Sequence, residues 1–314
     1  MNRVRVDAEA LATAIRAVLP AISRDKTRPT LQGVLFSVRE KGLVLVATDT
    51  HRVALCCVGE EADVRERSGE EAVVLASSLK KIALPFLKSE KRVEVSVKKG
   101  VLRLKGREMC VPATDVPGKA YPDWTKALPG EDLRQRMIFP RASLLDRCRE
   151  AENAGPKDKV GLSIRAVAGS LALEVAVSEA TETIALESPV SADLEGLSRW
   201  LVLTLNPTYL REALQTMAAE PVIVETNGPL HPVVIRSNEP DDPLWCIMPK
   251  DMRLPDDDCG DLDPTWGSRE TVPVRMELDR RVALAFFRKC AEGKETPREV
   301  LGEIVGKWTA GKDG

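Results

Sequence analysis

Apolar and polar positions alternate along much of this chain in short runs, and a few runs switch to a helical period. Val34-Leu35-Phe36-Ser37-Val38, a Glu40-Lys41-Gly42 turn and Leu43-Val44-Leu45-Val46 read as a β-hairpin. Leu162-Ser163-Ile164-Arg165, an Ala168-Gly169-Ser170 turn and Leu171 to Val177 read the same way. An amphipathic helix precedes each hairpin. The first runs from Asp7 to Leu19, with Leu11, Ile15, Val18 and Leu19 on one face. The second runs from Arg141 to Asn153, with Leu144, Leu145 and Cys148.

The downstream stretches match as well. From Val73 and from Leu201 the pattern is strand, N-cap, short amphipathic helix, hairpin, strand. Ser77 and Asn206 are the expected N-caps, because their side-chain oxygens can accept the free amides of a first turn. Leu79, Ile82, Ala83 and Phe86 share one helical face; so do Leu210, Ala213, Leu214 and Met217. Pro85 is expected to break or kink the first of these helices near its end. The chain therefore carries a repeat of roughly 130 residues. Two domains follow, 1–130 and 131–254, divided at Pro129-Gly130-Glu131-Asp132. The fold class is α+β, with antiparallel sheets and two helices in each repeat.

Composition narrows the chemistry. The chain has 314 residues, 46 basic and 48 acidic, for a net charge of −2, so no overall pull toward nucleic acid or membrane is visible. Aromatics are only 4%, leaving aliphatic residues to fill the cores. Seven cysteines without a Cys-x-x-Cys suggest neither a disulfide framework nor a zinc site. The N-terminus lacks an apolar leader pattern and no run approaches the ~18 residues of a membrane span, so a reduced, cytoplasmic protein is expected. Two histidines leave little material for triads or metal centres, and there is no phosphate loop, His-Glu-x-x-His or G-x-S-x-G. The expectation is a non-enzyme without cofactor or metal. Asp256-Asp257-Asp258 reads as a solvated acidic spacer.

One of the two histidines lies in Ala47-Thr48-Asp49-Thr50-His51-Arg52-Val53-Ala54, a polar turn that follows the strand Leu43 to Val46. This segment resembles one in the bacterial replicative sliding clamp, the β subunit of DNA polymerase III. So do Leu31-Gln32-Gly33-Val34-Leu35-Phe36 and Tyr121-Pro122-Asp123-Trp124, which place residues 1–130 beside that family's middle domain. Leu205-Asn206-Pro207-Thr208-Tyr209-Leu210, Pro229-Leu230-His231-Pro232-Val233 and Ile247-Met248-Pro249 place residues 131–254 beside its last domain. A counterpart of the first domain is missing. Thr50 stands where the family has Gly, and Lys250-Asp251 separates Met248-Pro249 from Met252-Arg253-Leu254.

The resemblance implies two repeated domains of DNA-clamp type and a cleft between them that receives short peptides from polymerases and other replication proteins. Leu31, Thr48, Thr50, His51, Arg52, Val53 and Pro122 would line one side. Asn206, Tyr209, Pro229, His231, Ile247, Met248 and Pro249 would line the other. Helices facing a DNA-filled hole would present Arg16, Lys80, Lys81, Lys88, Arg147, Arg149 and Arg211 to phosphates, giving salt-sensitive binding without base readout. Six domains in a ring require three two-domain subunits, hence a head-to-tail homotrimer, with double-stranded DNA, a polymerase and a clamp loader as partners.

The C-terminal end has its own pattern. Residues 255–271 form an acidic linker with Pro255, Gly260, Pro264 and Gly267. Residues 272–314 read as a small β-α-α tail: the strand Val272 to Leu278, a helix capped by Asp279, and a second helix starting at Thr296-Pro297. The tail resembles a ribbon–helix–helix module, in which Pro273, Arg275 and Glu277 would face a DNA groove. It could instead dimerise, or place Val282 to Phe287 in a clamp cleft. Two functions stay open: a processivity clamp, and a clamp-derived regulator that acts through this tail.

Overall fold

A computed structural model describes residues 3–250, apart from 39–41, 60–69, 99–100, 107–108, 113–120, 131–132, 134, 156–158, 168–169, 178–183, 187–193 and 196–199. The chain divides into two compact units, Met1–Met252 and Arg253–Gly314, and every described residue belongs to the first. The linker, the tail with Arg275, and part of the 129–132 boundary lie outside the described residues.

The repeat read from the sequence is present as a repeat of elements. The first half runs β1 (Arg3–Asp7), α1 (Ala8–Val18), β2 (Gly33–Val38), β3 (Gly42–Thr48), β4 (Arg52–Gly59) and β5 (Glu70–Leu75). Short helices α2 (Ala76–Ser78) and α3 (Leu84–Leu87) follow, then β6 (Arg92–Lys98), β7 (Val101–Lys105) and β8 (Met109–Pro112). The second half runs β9 (Gln135–Phe139), α4 (Arg141–Asn153), β10 (Val160–Val167), β11 (Ser170–Val177), β12 (Ile184–Leu186), β13 (Leu194–Glu195) and β14 (Trp200–Leu205). It closes with α5 (Pro207–Thr216), β15 (Val222–Thr226), β16 (Val233–Arg236) and β17 (Leu244–Ile247).

Local chemistry explains the helix starts. Asp7 caps α1, its Oδ1 accepting from the amides of Glu9 and Ala10 at 2.9 and 3.0 Å. Asn206 caps α5 in the same manner, accepting from Thr208 and Tyr209. Ser77 is not a cap: the helical stretch begins one residue earlier, at Ala76, after an uncapped Leu75. Pro85 does not end this stretch either. A π-helical segment, Leu79–Ala83, precedes Pro85 and joins α2 to α3. Proline lacks the amide and crowds the carbonyl four residues back, and a wider turn relieves both.

Among the described residues, the strands form three antiparallel sheets. Two have four strands, in the orders β1-β6-β7-β8 and β12-β11-β10-β14. The third has nine, in the order β13-β9-β15-β16-β17-β4-β3-β2-β5, and it crosses from one repeat to the other where β17 pairs with β4. The register there sets Trp245 opposite Ala54 and Ile247 opposite Arg52. The helices pack as a row: α3 against α1, α1 against α5, and α5 against α4. One apolar cluster continues through both repeats, from Leu11, Ile15 and Leu45 to Phe139, Leu144 and Trp245.

Strand β3 is covered on both faces: its seven residues are all buried. Leu43, Leu45 and Ala47 face the main core, while Val44 and Val46 join Leu31, Leu35, Val53, Leu55, Tyr121, Trp124 and Cys246 on the opposite face. The Tyr121 hydroxyl donates to the Val46 carbonyl at 3.3 Å, which ties the segment after β8 across the sheet.

Candidate peptide-binding site at the β4–β17 junction

The β3–β4 turn is held by its own side chains. The Thr48 hydroxyl donates to the Arg52 carbonyl at 2.7 Å and accepts from the Thr50 amide at 3.1 Å. The Asp49 carboxylate accepts from the amides of His51 and Arg52 at 3.0 and 3.1 Å. These bonds force Thr50 to φ +82°, the left-handed region that a β-branched residue rarely occupies. The Arg28 guanidinium donates to the Thr50 hydroxyl at a long 3.5 Å.

Arg52 is the pivot of the junction. Its side chain is only 5% exposed. Nε pairs with Asp49 at 3.0 Å, Nη1 with Glu212 of α5 at 2.6 Å, and Nη2 donates to the Pro20 carbonyl at 2.5 Å. The guanidinium carbon lies 4.2 Å from the Tyr209 ring centre and 5.7 Å from that of Trp245. The indole N–H of Trp245 in turn donates to the Thr216 hydroxyl at 3.0 Å. Burial, and secondarily the Asp49 charge, push the Tyr209 hydroxyl pKa above its ordinary value, against the pull of Arg52. One cation thus joins the first repeat's turn to the second repeat's helix.

Register gathers the remaining groups. Ile247 ends β17 opposite Arg52 at the start of β4 and opposite Val233 at the start of β16. Met248, His51 and the Pro229–Pro232 loop therefore sit at one end of three adjacent strands, and the Met248 amide donates to the His51 carbonyl at 2.9 Å. Both histidines are exposed there. The exposed large hydrophobics among the described residues are Leu230 at 71% and Met248 at 41%, and both belong to this end.

The residues expected from sequence divide by accessibility. Thr50, His51, Pro122, Pro229, His231 and Met248 are exposed, and Asn206, Tyr209 and Pro249 are half-buried. Leu31, Thr48, Arg52, Val53 and Ile247 are buried and act as wall and framework. Sequence reasoning missed Asp49, Glu212, Trp245, the Pro20 carbonyl and exposed Leu230. Asp49 was legible in principle, three residues before Arg52. Glu212 was not, since only the fold brings it to Arg52 from 160 positions away.

The basic residues expected on the helices divide too. Arg16 pairs with Glu9 at 3.3 Å, Arg147 with Glu150 and Arg149 with Asp146 at 2.7 Å, and Arg211 with Glu152 at 2.8 Å. Lys80, Lys81 and Lys88 are exposed without an ion pair among the described residues. No group of three or more His, Cys, Asp or Glu able to hold a metal occurs among the described residues, and no described helix is long and apolar enough to cross a membrane.

Comparison with known proteins adds to this geometry. Residues 5–123 match the family model described as DNA polymerase III beta subunit, central domain. The Beta sliding clamp of Bacillus subtilis is 23% identical over 250 residues, which cover 79% of this chain and 64% of that one. The Beta sliding clamp of Pseudomonas putida is 25% identical over 236 residues, 74% of this chain and 61% of its own. The crystal structure of the Bacillus subtilis DNA polymerase sliding clamp superposes with a TM-score of 0.66 across 79% of this chain and 64% of that one. One from Pseudomonas aeruginosa, solved with ligand, superposes at 0.67 with 19% identity, covering 79% and 66%. The fold is that of the sliding clamps, and the chain spans less than two thirds of the length of these curated relatives.

Proposed function

From the premise that this chain is a relative of the bacterial beta sliding clamps, matching their central domain over residues 5–123, we propose that it is itself a DNA sliding clamp. It acts without catalysis, as a processivity factor in cytoplasmic DNA replication. Its two repeats, 1–130 and 131–254, form a head-to-tail homotrimeric ring around duplex DNA, placed there by a clamp loader. Its polymerase and other replication proteins dock through short peptides at the β4–β17 junction.

The observation that carries this reading is the junction itself. The turn from the first repeat and α5 and β17 from the second meet through Arg52, and exposed His51, Leu230, His231 and Met248 stand at the same strand ends. Apolar side chains beside a few polar groups suit an incoming peptide, since burial supplies affinity and hydrogen bonds supply orientation. The row α3-α1-α5-α4 gives one continuous helical surface, and exposed Lys80, Lys81 and Lys88 suit a phosphate column.

Two measurements test the proposal. A fluorescent peptide carrying the clamp-binding segment of a replicative polymerase binds the wild type and loses about tenfold in affinity in His51→Ala/Met248→Ala, with ring size unchanged; unchanged affinity removes the site. Loaded protein stays on nicked circular DNA and slides off once the circle is linearised; equal loss from both forms removes the encircling function.

A further inference from the structure

Strands β1, β6 and β7 turn one face to the core and the other outward. Val4, Val6, Val93, Val95, Leu102 and Leu104 belong to the core. The residues between them make the outward face, and register sets them in rows. Arg3, Ser96 and Arg103 form one row, Arg5, Glu94 and Lys105 the next, and Asp7 with Arg92 a third. All five cations are exposed, and Ser96, between the arginines of its row, is buried. Neighbouring strands lie about 4.8 Å apart and alternate residues about 7 Å apart, so the backbone positions of Arg3, Arg5, Arg103 and Lys105 mark a rectangle of about 7 by 10 Å.

Two carboxylates do not balance five cations. Glu94 is shared between Arg3 at 3.7 Å and Arg5 at 3.5 Å, and Asp7 accepts from the first amides of α1. Arg92, Arg103 and Lys105 are exposed without an ion pair among the described residues. The whole chain is at −2, so this excess is local. The fold does not require it, because the second half builds the same sheet differently. Val4 and Met137 each lie four residues before the first residue of a helix, α1 and α4. The first two rows therefore correspond to Arg136–Glu225–Val234 and Ile138–Ile223–Arg236. There Glu225 stands in the place of Ser96. It holds Arg236 at 2.8 Å through both oxygens and Arg136 at 3.7 Å. One position in the fold is neutralised and apolar in the second half and strongly basic in the first.

We propose that the outward face of β1, β6 and β7 binds the phosphate backbone of duplex DNA, as a second site apart from the helical surface. Charge complementarity carries the choice of occupant. Guanidinium groups on a flat lattice suit phosphate oxygens, which they can grip with two parallel hydrogen bonds. The three rows contain no aromatic side chain on which unpaired bases could stack, which favours a duplex backbone over a single strand. Helix α1 packs its apolar side into the same core that these strands cover, so the sheet face and the exposed side of the helix are separate surfaces. The site goes beyond the encircling role and holds whether or not a ring closes.

The test uses the full-length protein and a short labelled linear duplex, read by fluorescence anisotropy between about 50 and 200 mM salt. Arg103→Ala/Lys105→Ala is expected to bind about tenfold more weakly at the lower salt. Its slope of log affinity against log salt should be shallower by about 2, one for each lost phosphate contact. Ser96→Glu, which copies the arrangement that the second half already accommodates, should give a similar loss. Retention on nicked circular DNA should stay as in the wild type. Affinity and slope unchanged in both variants overturn the proposal, as does a loss of circle retention that accompanies the loss of duplex affinity. Fluorescent polyglutamate that binds the wild type more tightly than the duplex, and is lost in the same variants, replaces DNA by an acidic protein segment and overturns it too. A wild type that leaves circles and linear DNA alike, yet shows the variant-sensitive duplex binding, removes the encircling function and supports this site.

Discussion

Thr50 and Arg52 are two residues apart and oppose each other energetically. Thr50 is held at positive φ between its own bond to the Thr48 hydroxyl and the bonds that Asp49 accepts from the His51 and Arg52 amides. A left-handed backbone costs an L-residue about 1–2 kcal/mol, and glycine escapes most of it. Thr50→Gly is expected to raise stability by about 1 kcal/mol, read as a higher urea midpoint; a lower midpoint would show that the hydroxyl contact with Arg28 outweighs the strain. Arg52 is the stabilising counterpart. Removing it would leave the Asp49 and Glu212 carboxylates, 13% and 18% exposed, facing each other without their cation. Arg52→Ala is expected to cost about 3 kcal/mol. Arg52→Lys recovers only part, because an ammonium cannot span Asp49, Glu212 and the Pro20 carbonyl with one planar fork. Equal stability of all three proteins in chemical denaturation would refute this role. A test of the proposed peptide site therefore substitutes exposed His51 and not the buried framework residue Arg52.

At the scale of elements, local patterns and distant pairing share the work. Caps, helical faces and hairpins depend on neighbours a few positions away, and these were legible. Asn206 caps as expected, and α4 spans Arg141–Asn153 as expected. Asn206→Ala should cost about 1 kcal/mol by freeing the amides of Thr208 and Tyr209. Because Tyr209 lies against Arg52, the loss should appear also as weaker peptide binding; a stability loss without any change in peptide affinity would separate α5 from the site. Ser77 misled for a physical reason. A serine near a helix start competes for capping, but strand β5 ends at Leu75 and the helical stretch begins directly after it. The π-helical turn before Pro85 was also out of reach, since proline announces a disturbance and not how the chain absorbs it.

For the molecule as a whole, the joint between repeats carries one apolar core from the first half into the second. The core passes through it, so the two halves are expected to unfold together. Ionisation provides a test of that core. Burial pushes the Cys56 and Cys246 thiols from 9.0 to about 12, and raises Cys148 and the Tyr121 hydroxyl further. These groups are neutral in the folded protein and ionise at lower pH once unfolded. Their contribution is complete below about pH 8 and is lost as pH rises toward 12, with about 2 kcal/mol per buried thiol gone by about pH 10.5. The urea midpoint of the reduced protein should therefore fall between about pH 8 and pH 10.5; a constant midpoint would mean that these side chains reach solvent.

The sequence by itself determined the repeat, the α+β class, most element positions and the two segments that meet at the site. Those depend on periods of 2 and 3.6 residues and on turn chemistry, which act between near neighbours. Only the tertiary structure decided that β4 and β17 share a ladder, that β3 is covered on both faces, and that Arg52 turns inward to Glu212. Each of these joins groups far apart along the chain. Such pairing is selected by the burial and charge balance of the assembled core, which no local stretch of residues contains.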